Sequence, residues 1–110
     1  MDEKKAIVEF WNAAKANDEA SARNALKGIS SETINAQDDD GYTMLIAAVQ
    51  NANACAVRVL LDSGRCDLAL RENLCDMTAE EFSRDFPENS PIRQAFRGTA
   101  TKDVRGEDVQ

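Results

Sequence analysis

The sequence predicts an all-α fold in which pairs of helices repeat along the chain. Apolar residues recur three and four positions apart in several segments, the spacing that places them on one face of a helix. Helix-capping residues precede these segments, and glycine, asparagine or proline follows them. The same landmarks return at a separation of 35 residues: Leu26 with Leu61 and Phe96, Gly41 with Asp76, and Thr43 with Thr78. A tandem helical repeat accounts for all three observations.

The first pair of helices is predicted over residues 4–28. Asp2 is the expected cap of its first helix, and Asn17-Asp18 ends that helix and caps the next. The second helix stops at Gly28. The inward faces hold Ile7, Phe10, Trp11 and Ala14 in the first helix and Ala22, Ala25 and Leu26 in the second. Trp11 is assigned to the core because the helical spacing places it on the same face as its apolar neighbours.

The second pair is predicted over residues 34–64, after a polar, turn-rich connection that ends in the run Asp38-Asp39-Asp40-Gly41. An apolar–polar alternation at residues 33–36 is too brief to indicate a sheet. One helix follows Thr43, and Asn51-Ala52-Asn53 turns the chain into the next, which runs to Gly64. Their inward faces hold Leu45, Ala48 and Val49, then Val57, Leu60 and Leu61.

The third pair is predicted over residues 69–97. Thr78 and Glu81 form a capping box that opens a helix expected to bury Phe82. Ser90 and Pro91 start the last helix, and Gly98 stops it. The inward face of that helix holds Ile92, Ala95 and Phe96. The sequence therefore predicts one domain over residues 1–98 and a disordered tail over 99–110, which has no apolar periodicity.

The middle unit resembles an ankyrin repeat. Residues 34–49 follow the family pattern V-N-x-x-D-x-x-G-x-T-P-L-H-x-A-A, and residues 57–64 follow V-x-x-L-L-x-x-G. In the third unit, residues 73–78 (N-L-C-D-M-T) stand where D-x-x-G-x-T is expected. The first unit keeps only two short matches. The resemblance covers residues 4–97 and implies a solenoid of three units with degenerate ends, as a solenoid requires.

The chain departs from the family pattern in three ways. Met44-Leu45-Ile46 replaces Pro-Leu-His, and the chain has no histidine. The repeat of 35 residues is longer than the family's 33. Asp76 replaces the turn glycine, and aspartate adopts the left-handed conformation with some strain. We expect these departures to lower stability more than to change the fold.

Composition excludes several classes of function. A formal net charge of −7 disfavours nucleic acid and anionic membranes as partners and favours a basic protein surface. Three cysteines without close pairing favour a reducing, cytoplasmic location over a secreted disulfide framework. No apolar run is long enough to span a membrane, and the N-terminus leads into an amphipathic segment and not into the apolar block of a signal peptide.

The usual catalytic and cofactor motifs are not found. Without histidine, most triads and zinc–histidine sites are excluded, and Cys55, Cys66 and Cys75 lack the spacing of a zinc site. No glycine-rich phosphate loop occurs. The acidic run before Gly41 looks like part of a calcium loop, but Ala36 and Ala47 occupy the first and last ligand positions. We therefore expect no metal, no cofactor and no enzymatic activity.

The resemblance implies protein recognition through the loop tips and the first helices of the units. The candidate binding residues are exposed or half-exposed in the predicted repeat: Asp39, Asp40, Tyr42, Met44, Gln50, Asn51, Leu74 and Met77. Residues 37–40 and Glu72 would steer a basic partner toward this surface. A chain with only these units and a tail is expected to block, mask or tether its partner, as an inhibitor, an immunity-type protein or an adaptor.

Two alternatives remain open at this point. As a binding module, the chain is expected to be a monomer or to self-associate weakly. As a structural scaffold, it would instead self-associate by stacking its end units, and Phe86 and Phe96 are the residues to examine for such a contact. An enzyme built on carboxylates would need an enclosed pocket that raises the pKa of paired acids, and an open solenoid rarely has one.

Overall fold

Helices are the regular elements of this chain, as the sequence predicts. A computed structural model describes residues 3–97, and no strand occurs within that range. The helices are α1 (Glu3–Lys15), α2 (Glu19–Leu26), α3 (Ser31–Ile34), α4 (Met44–Gln50), α5 (Ala54–Asp62) and α6 (Ala79–Ser83), followed by α7 over residues 91–97. The predicted cap Asp2, the predicted stop Gly98 and the tail predicted to be disordered (99–110) lie outside the described residues.

Side-chain caps start the helices where the sequence predicts them. Asp18 and Thr43 each accept a hydrogen bond from the backbone N–H three residues later. Thr78 and Glu81 form the predicted capping box, with both reciprocal bonds present. Each cap satisfies N–H groups that have no partner inside their own helix, which stabilises the helix start by about 1 kcal/mol.

The turn from α1 to α2 and the turn from α4 to α5 have the same backbone structure. Asn17 and Ala52, which are 35 residues apart, both take a left-handed conformation, with φ of 60° and 56°. Each donates its N–H to the carbonyl three residues earlier, and the N–H of the next residue donates to the carbonyl five residues earlier. The repeat in the sequence is therefore also a repeat of backbone geometry.

The apolar faces of the helices meet in a common core. α1 packs against α2 and α4 against α5, while α5 also contacts α1 and α2, and α4 contacts α6. Alanine at several buried positions leaves room for neighbouring helices to pack closely. The least exposed core residues are Phe10, Ala22, Ile29, Ile34, Ile46, Ala48, Val49, Ala56, Val57, Val59 and Leu60.

Four residues that were predicted to lie in the core are only half-buried: Ile7, Trp11, Phe82 and Ala95. Phe10 takes the central position in α1, and Trp11 packs beside it at the edge, with the two rings 5.2 Å apart and nearly perpendicular. In α6 the buried residues are Ala79 and Ser83, while Phe82 packs against the core from outside. The buried stripe of α6 is therefore rotated by about one residue from the predicted one, whereas in α1 the buried residues Phe10 and Ala14 belong to the predicted stripe.

The helical turn α3 lies where the sequence shows only a brief apolar–polar alternation. Ser30 caps it by accepting a hydrogen bond from the N–H of Thr33, and Ile34 is fully buried at its end. Glu3 of α1 accepts hydrogen bonds from the N–H of Ser30 at 2.8 Å and from the Thr33 hydroxyl at 2.6 Å. The contacts that stabilise this turn therefore come from a distant segment of the chain.

Polar side chains link the connection between the first two pairs to the connection between the last two. Asn35 donates a hydrogen bond to the carbonyl of Arg65 at 2.9 Å and accepts one from the N–H of Asp67 at 2.8 Å. The Arg65 guanidinium donates to the carbonyl of Ile29. The two connections therefore lie side by side.

Gly41 lies where these two connections approach most closely. Its φ of +86° is in the left-handed region, and a Cβ at this position would lie 2.9 Å from the backbone nitrogen of Asn73 and the Cα of Glu72. Gly64 also has a positive φ, +70°, but a Cβ there would meet nothing within 4 Å. The two glycines therefore share the conformational requirement, and only Gly41 has the close approach.

We expect Gly41→Ala to be more destabilising than Gly64→Ala. Gly64→Ala has only the left-handed strain to accommodate, and should lower the free energy of unfolding by about 1 kcal/mol. Gly41→Ala must also displace the backbone of the neighbouring connection, which raises the expected loss to about 2–4 kcal/mol. Urea denaturation of both variants measures the difference, and equal losses would contradict close packing between the connections.

Candidate functional site

The loop of residues 38–42 is closed by the carboxylate of its first residue. Asp38 Oδ1 accepts hydrogen bonds from the N–H groups of Asp40 and Tyr42, both at 2.9 Å. The Asp38 N–H donates to the carbonyl of Tyr42 at 3.1 Å, and the Gly41 N–H donates to the carbonyl of Asp38 at 2.9 Å. These bonds leave the Asp39 and Asp40 side chains exposed at the tip.

The loop of residues 72–77 is closed in the same way by Glu72. Its N–H donates to the carbonyl of Met77 at 3.1 Å. Its carboxylate accepts hydrogen bonds from the N–H groups of Leu74 at 3.0 Å, Cys75 at 3.0 Å and Met77 at 2.9 Å. Glu72 therefore does what Asp38 does in the first loop, with one more methylene in its side chain and one more residue in its loop.

This arrangement corrects two expectations about the second loop. The residue in the role of Asp38 is Glu72, and not Asn73 as the sequence spacing indicates. Glu72 was also expected to steer a basic partner, but its side chain is only 1% exposed. The carboxylate is directed at the backbone N–H groups of its own loop, so a partner does not reach it.

The backbone of the second loop holds Glu72 in its ionised form. Burial acts to raise the pKa of this carboxyl, but the backbone N–H donors of Met77, Cys75, Leu74 and Asp76 outweigh that effect. The pKa of Glu72 therefore lies below its ordinary value of 4.5. A carboxylate that accepts several backbone hydrogen bonds is favoured over the neutral acid, which is the usual cause of such a shift.

Direct hydrogen bonds join the two loops. Asn73 donates its N–H to the carbonyl of Asp40 at 2.8 Å and its side-chain amide to the carbonyl of Asp39 at 3.1 Å. The Gln37 amide donates to the carbonyls of Gly41 at 3.0 Å and Arg71 at 2.8 Å. Residues 38–42 and 72–77 thus form a continuous region, which we call the two-loop surface.

Five of the eight predicted binding residues have exposed or partly exposed side chains at the two-loop surface, and half-buried Tyr42 is the one at the end of the first loop. Asp39 and Asp40 are exposed in the first loop, and Leu74 in the second has 75% of its surface exposed. Met77 is half-buried at the end of the second loop. An apolar side chain as exposed as Leu74 beside two carboxylates is a composition typical of interaction surfaces.

Tyr42 and Met44 line a shallow groove beside the first loop. Its volume is about 330 Å³ and it is mostly apolar. The lining residues are Trp11, Ala36, Gln37, Asp38, Tyr42, Thr43, Met44 and Ala47. We call this feature the Trp11 groove, because Trp11 of α1 forms a wall that is distant in sequence from the other residues.

Sequence reasoning missed the contribution of Trp11 to this groove. The periodicity of α1 places Trp11 next to the buried stripe, and a bulky residue at the edge of a stripe covers the core with one part of its ring and meets solvent with the other. The presence of Trp11 and Tyr42 in the same groove depends on how α1 packs against the rest of the chain. That packing is not visible in the sequence.

Gln50 and Asn51 lie away from the two-loop surface. They follow Met44 by one helix length, which is about 9–10 Å. Asn51 lines a different cleft, together with Ala14, Lys15 and Asn17 of the first pair. The structure therefore does not bring these two residues together with the other six.

The ionisation of Tyr42 reflects its half-buried position and its acidic neighbours. Loss of contact with water is the largest influence that raises the pKa of its hydroxyl, followed by the negative charge of Glu72, Asp40, Cys75 and Asp38. Acidic groups therefore surround the groove on the side of the two loops.

The three cysteines are unpaired and differ in accessibility. Cys55 is buried, Cys66 is half-buried and Cys75 is exposed in the second loop. Burial raises the pKa of the Cys66 thiol to about 11 and also raises that of Cys55.

Within residues 3–97, no group of three or more cysteine or acidic side chains is arranged to hold a metal ion. None of the helices in this range is both long enough and apolar enough to cross a membrane.

Comparisons with known proteins gave no match. No protein-family model matches the sequence, and neither the curated proteins nor the solved structures contain a significant match. The two-loop surface and the Trp11 groove are therefore interpreted from their own geometry.

We expect Glu72→Gln to destabilise the protein near neutral pH, because the amide places an N–H₂ group against backbone donors. The folded-state pKa of Glu72 is lowered, so its stabilising contribution is present above about pH 4.5 and is lost as the pH falls through the folded value. Urea midpoints of wild type and variant should therefore converge on acidification. A difference that stays constant from about pH 7 to about pH 3 would contradict this role.

We expect Cys75 to be the one thiol that reacts rapidly with an aromatic disulfide reagent in the folded protein. Cys55 is buried, and Cys66 is largely protonated near pH 8 because its pKa is about 11. The measurement is the amplitude of the fast phase per chain. Cys75→Ser should abolish this phase, and a fast phase that survives in that variant would place a second reactive thiol at the surface.

Proposed function

We propose that the chain is a non-catalytic protein-binding module that binds a basic protein and blocks or tethers it. The observation that carries this proposal is the two-loop surface. It presents Asp39, Asp40 and Leu74 to solvent on a backbone that is held by Asp38, Glu72 and hydrogen bonds between the loops. A surface that is already ordered loses little conformational entropy on binding.

Two structural repeats support the ankyrin-type architecture that this proposal includes. The turns at Asn17 and Ala52 have matching hydrogen bonds and left-handed residues. The loops closed by Asp38 and Glu72 are likewise built on one plan. In the proposed architecture, three units (4–28, 34–64 and 69–97) form a solenoid, and the loops project from one edge of it.

The charge of the chain favours a basic partner. The formal net charge is −7, and the carboxylates of Asp39 and Asp40 make no hydrogen bond within residues 3–97. Exposed acids at the rim of an interface mainly raise the association rate of a basic partner and make binding depend on salt. We place this function in a reducing, cytoplasmic compartment, since the three cysteines are unpaired.

The two alternatives receive less support. Phe96, which was considered for self-association, is buried in the core, and Phe86 packs half-buried against it. The buried carboxylate of Glu72 and Oδ1 of Asp38 are occupied by backbone hydrogen bonds, which is a structural use of these groups and not an acid–base pair.

The test is binding of a partner captured from the native cell, purified and measured at several salt concentrations. We expect Asp39→Asn/Asp40→Asn to weaken binding about tenfold at low salt and to flatten the salt dependence, because two carboxylates leave the interface. The double variant Asp85→Asn/Glu88→Gln is the matched control, since it removes two exposed carboxylates elsewhere.

The control should bind with an affinity close to that of the wild type. Equal losses in the two double variants would show that net charge acts without a defined surface. If no basic protein is retained at low salt, the proposal is wrong.

A further inference from the structure

We propose that the Trp11 groove binds the side chain of a lysine or arginine from the partner. This inference rests on the proposed function, because it assigns the chemistry of the partner at a groove that adjoins the two-loop surface. It gives a binding role to Trp11, which the sequence analysis assigned to the core, and a specific contact to Asp38, which that analysis counted only among the acids that steer a partner.

The walls of the groove suit a long, apolar stem. Trp11, Tyr42, Met44 and Ala47 are all half-buried, so each presents part of its apolar surface to the opening. The volume of about 330 Å³ is at the lower limit of pockets that enclose whole small molecules, and it suits a single inserted side chain. Lysine and arginine bury their methylene stems against apolar surface while the charged head stays at a polar edge.

The polar edge of the groove has one charged residue, and it is acidic. The Gln37 amide nitrogen and the Thr43 hydroxyl oxygen already take part in hydrogen bonds within the protein. The Gln37 amide donates to two carbonyls, and the Thr43 hydroxyl caps α4. Asp38 uses only Oδ1 to close its loop, and its Oδ2 accepts no hydrogen bond from residues 3–97. A carboxylate with an unused oxygen on a residue that lines the same groove as two aromatic residues is a combination that attracts an ammonium or guanidinium group.

The surroundings of the groove strengthen this preference for a cation. The negative charges of Glu72, Asp40 and Asp38 all act on the Tyr42 hydroxyl, where they add to the effect of burial in raising its pKa. Of the eight residues that line the groove, none is basic. An anionic or purely apolar side chain would leave this negative field uncompensated, whereas a cation offsets it.

The chain provides its own reporter for the test, because Trp11 is its single tryptophan. The probe is a short capped peptide with one lysine between glycine and serine residues, and it is compared with the same peptide carrying arginine or norleucine. Norleucine keeps the apolar stem and lacks the charge. Binding is followed by the NMR signals of the Trp11 indole N–H and the Tyr42 amide and by tryptophan fluorescence.

We expect the lysine and arginine peptides to shift the Trp11 and Tyr42 signals in a saturable way, and the norleucine peptide to bind at least about fivefold more weakly. Asp38→Asn should lower the affinity for the lysine peptide about fivefold, because the substitution keeps the oxygen that closes the loop and removes the negative charge. Asp67→Asn is the matched control, because Asp67 Oδ1 also accepts the N–H two residues later and lies outside the groove.

Equal binding of the norleucine and lysine peptides, or the absence of any saturable shift, would overturn the cation assignment. This outcome is distinguishable from failure of the proposed function. Suppose that binding of a basic partner depends on Asp39 and Asp40, but its affinity is unchanged in Asp38→Asn and Tyr42→Leu. The proposed function is then supported, and the groove is not the cation site.

Discussion

The structure of the two-loop surface depends on one interaction, a carboxylate that accepts backbone N–H groups from its own loop. Asp38 and Glu72 each stand at the start of a loop, and each supplies the acceptors that the loop backbone lacks. A loop without regular structure has unpaired N–H groups, and leaving them unsatisfied away from water is costly. The acids therefore fix the loop conformation, and the loop conformation determines which side chains face solvent.

The comparison of the two loops shows how a repeat tolerates a change in length. The second loop has one more residue between its closing pair than the first, and its closing acid is longer by one methylene. Asp76 takes the left-handed position that Gly41 takes in the first loop, with φ of 57°. Each loop is followed by a threonine that caps the next helix. The change is thus absorbed within the loop and does not shift the helices.

Much of the fold was predictable because local chemistry determines it. The caps at Asp18, Thr43 and Thr78 and the break at Asn17 depend only on neighbouring residues, and the structure confirms them. The two features that were missed have different causes. Trp11 reaches the groove through the packing of α1 against a distant segment. Glu72 acts within its own loop, but counting residues aligned Asn73 with Asp38 and does not reveal which side chain accepts the backbone hydrogen bonds.

The hydrogen bonds from Asn73 to the first loop have a consequence for how the two-loop surface responds to heating. Asn73 belongs to the segment that leads into α6, so the two loops stay joined only while that last unit is folded. Segments near the ends of a folded domain open locally at a lower free energy than the core does. Fraying of the segment that follows Asn73 would therefore separate the two loops first, and under the proposed function the chain would stop binding while it is still mostly helical.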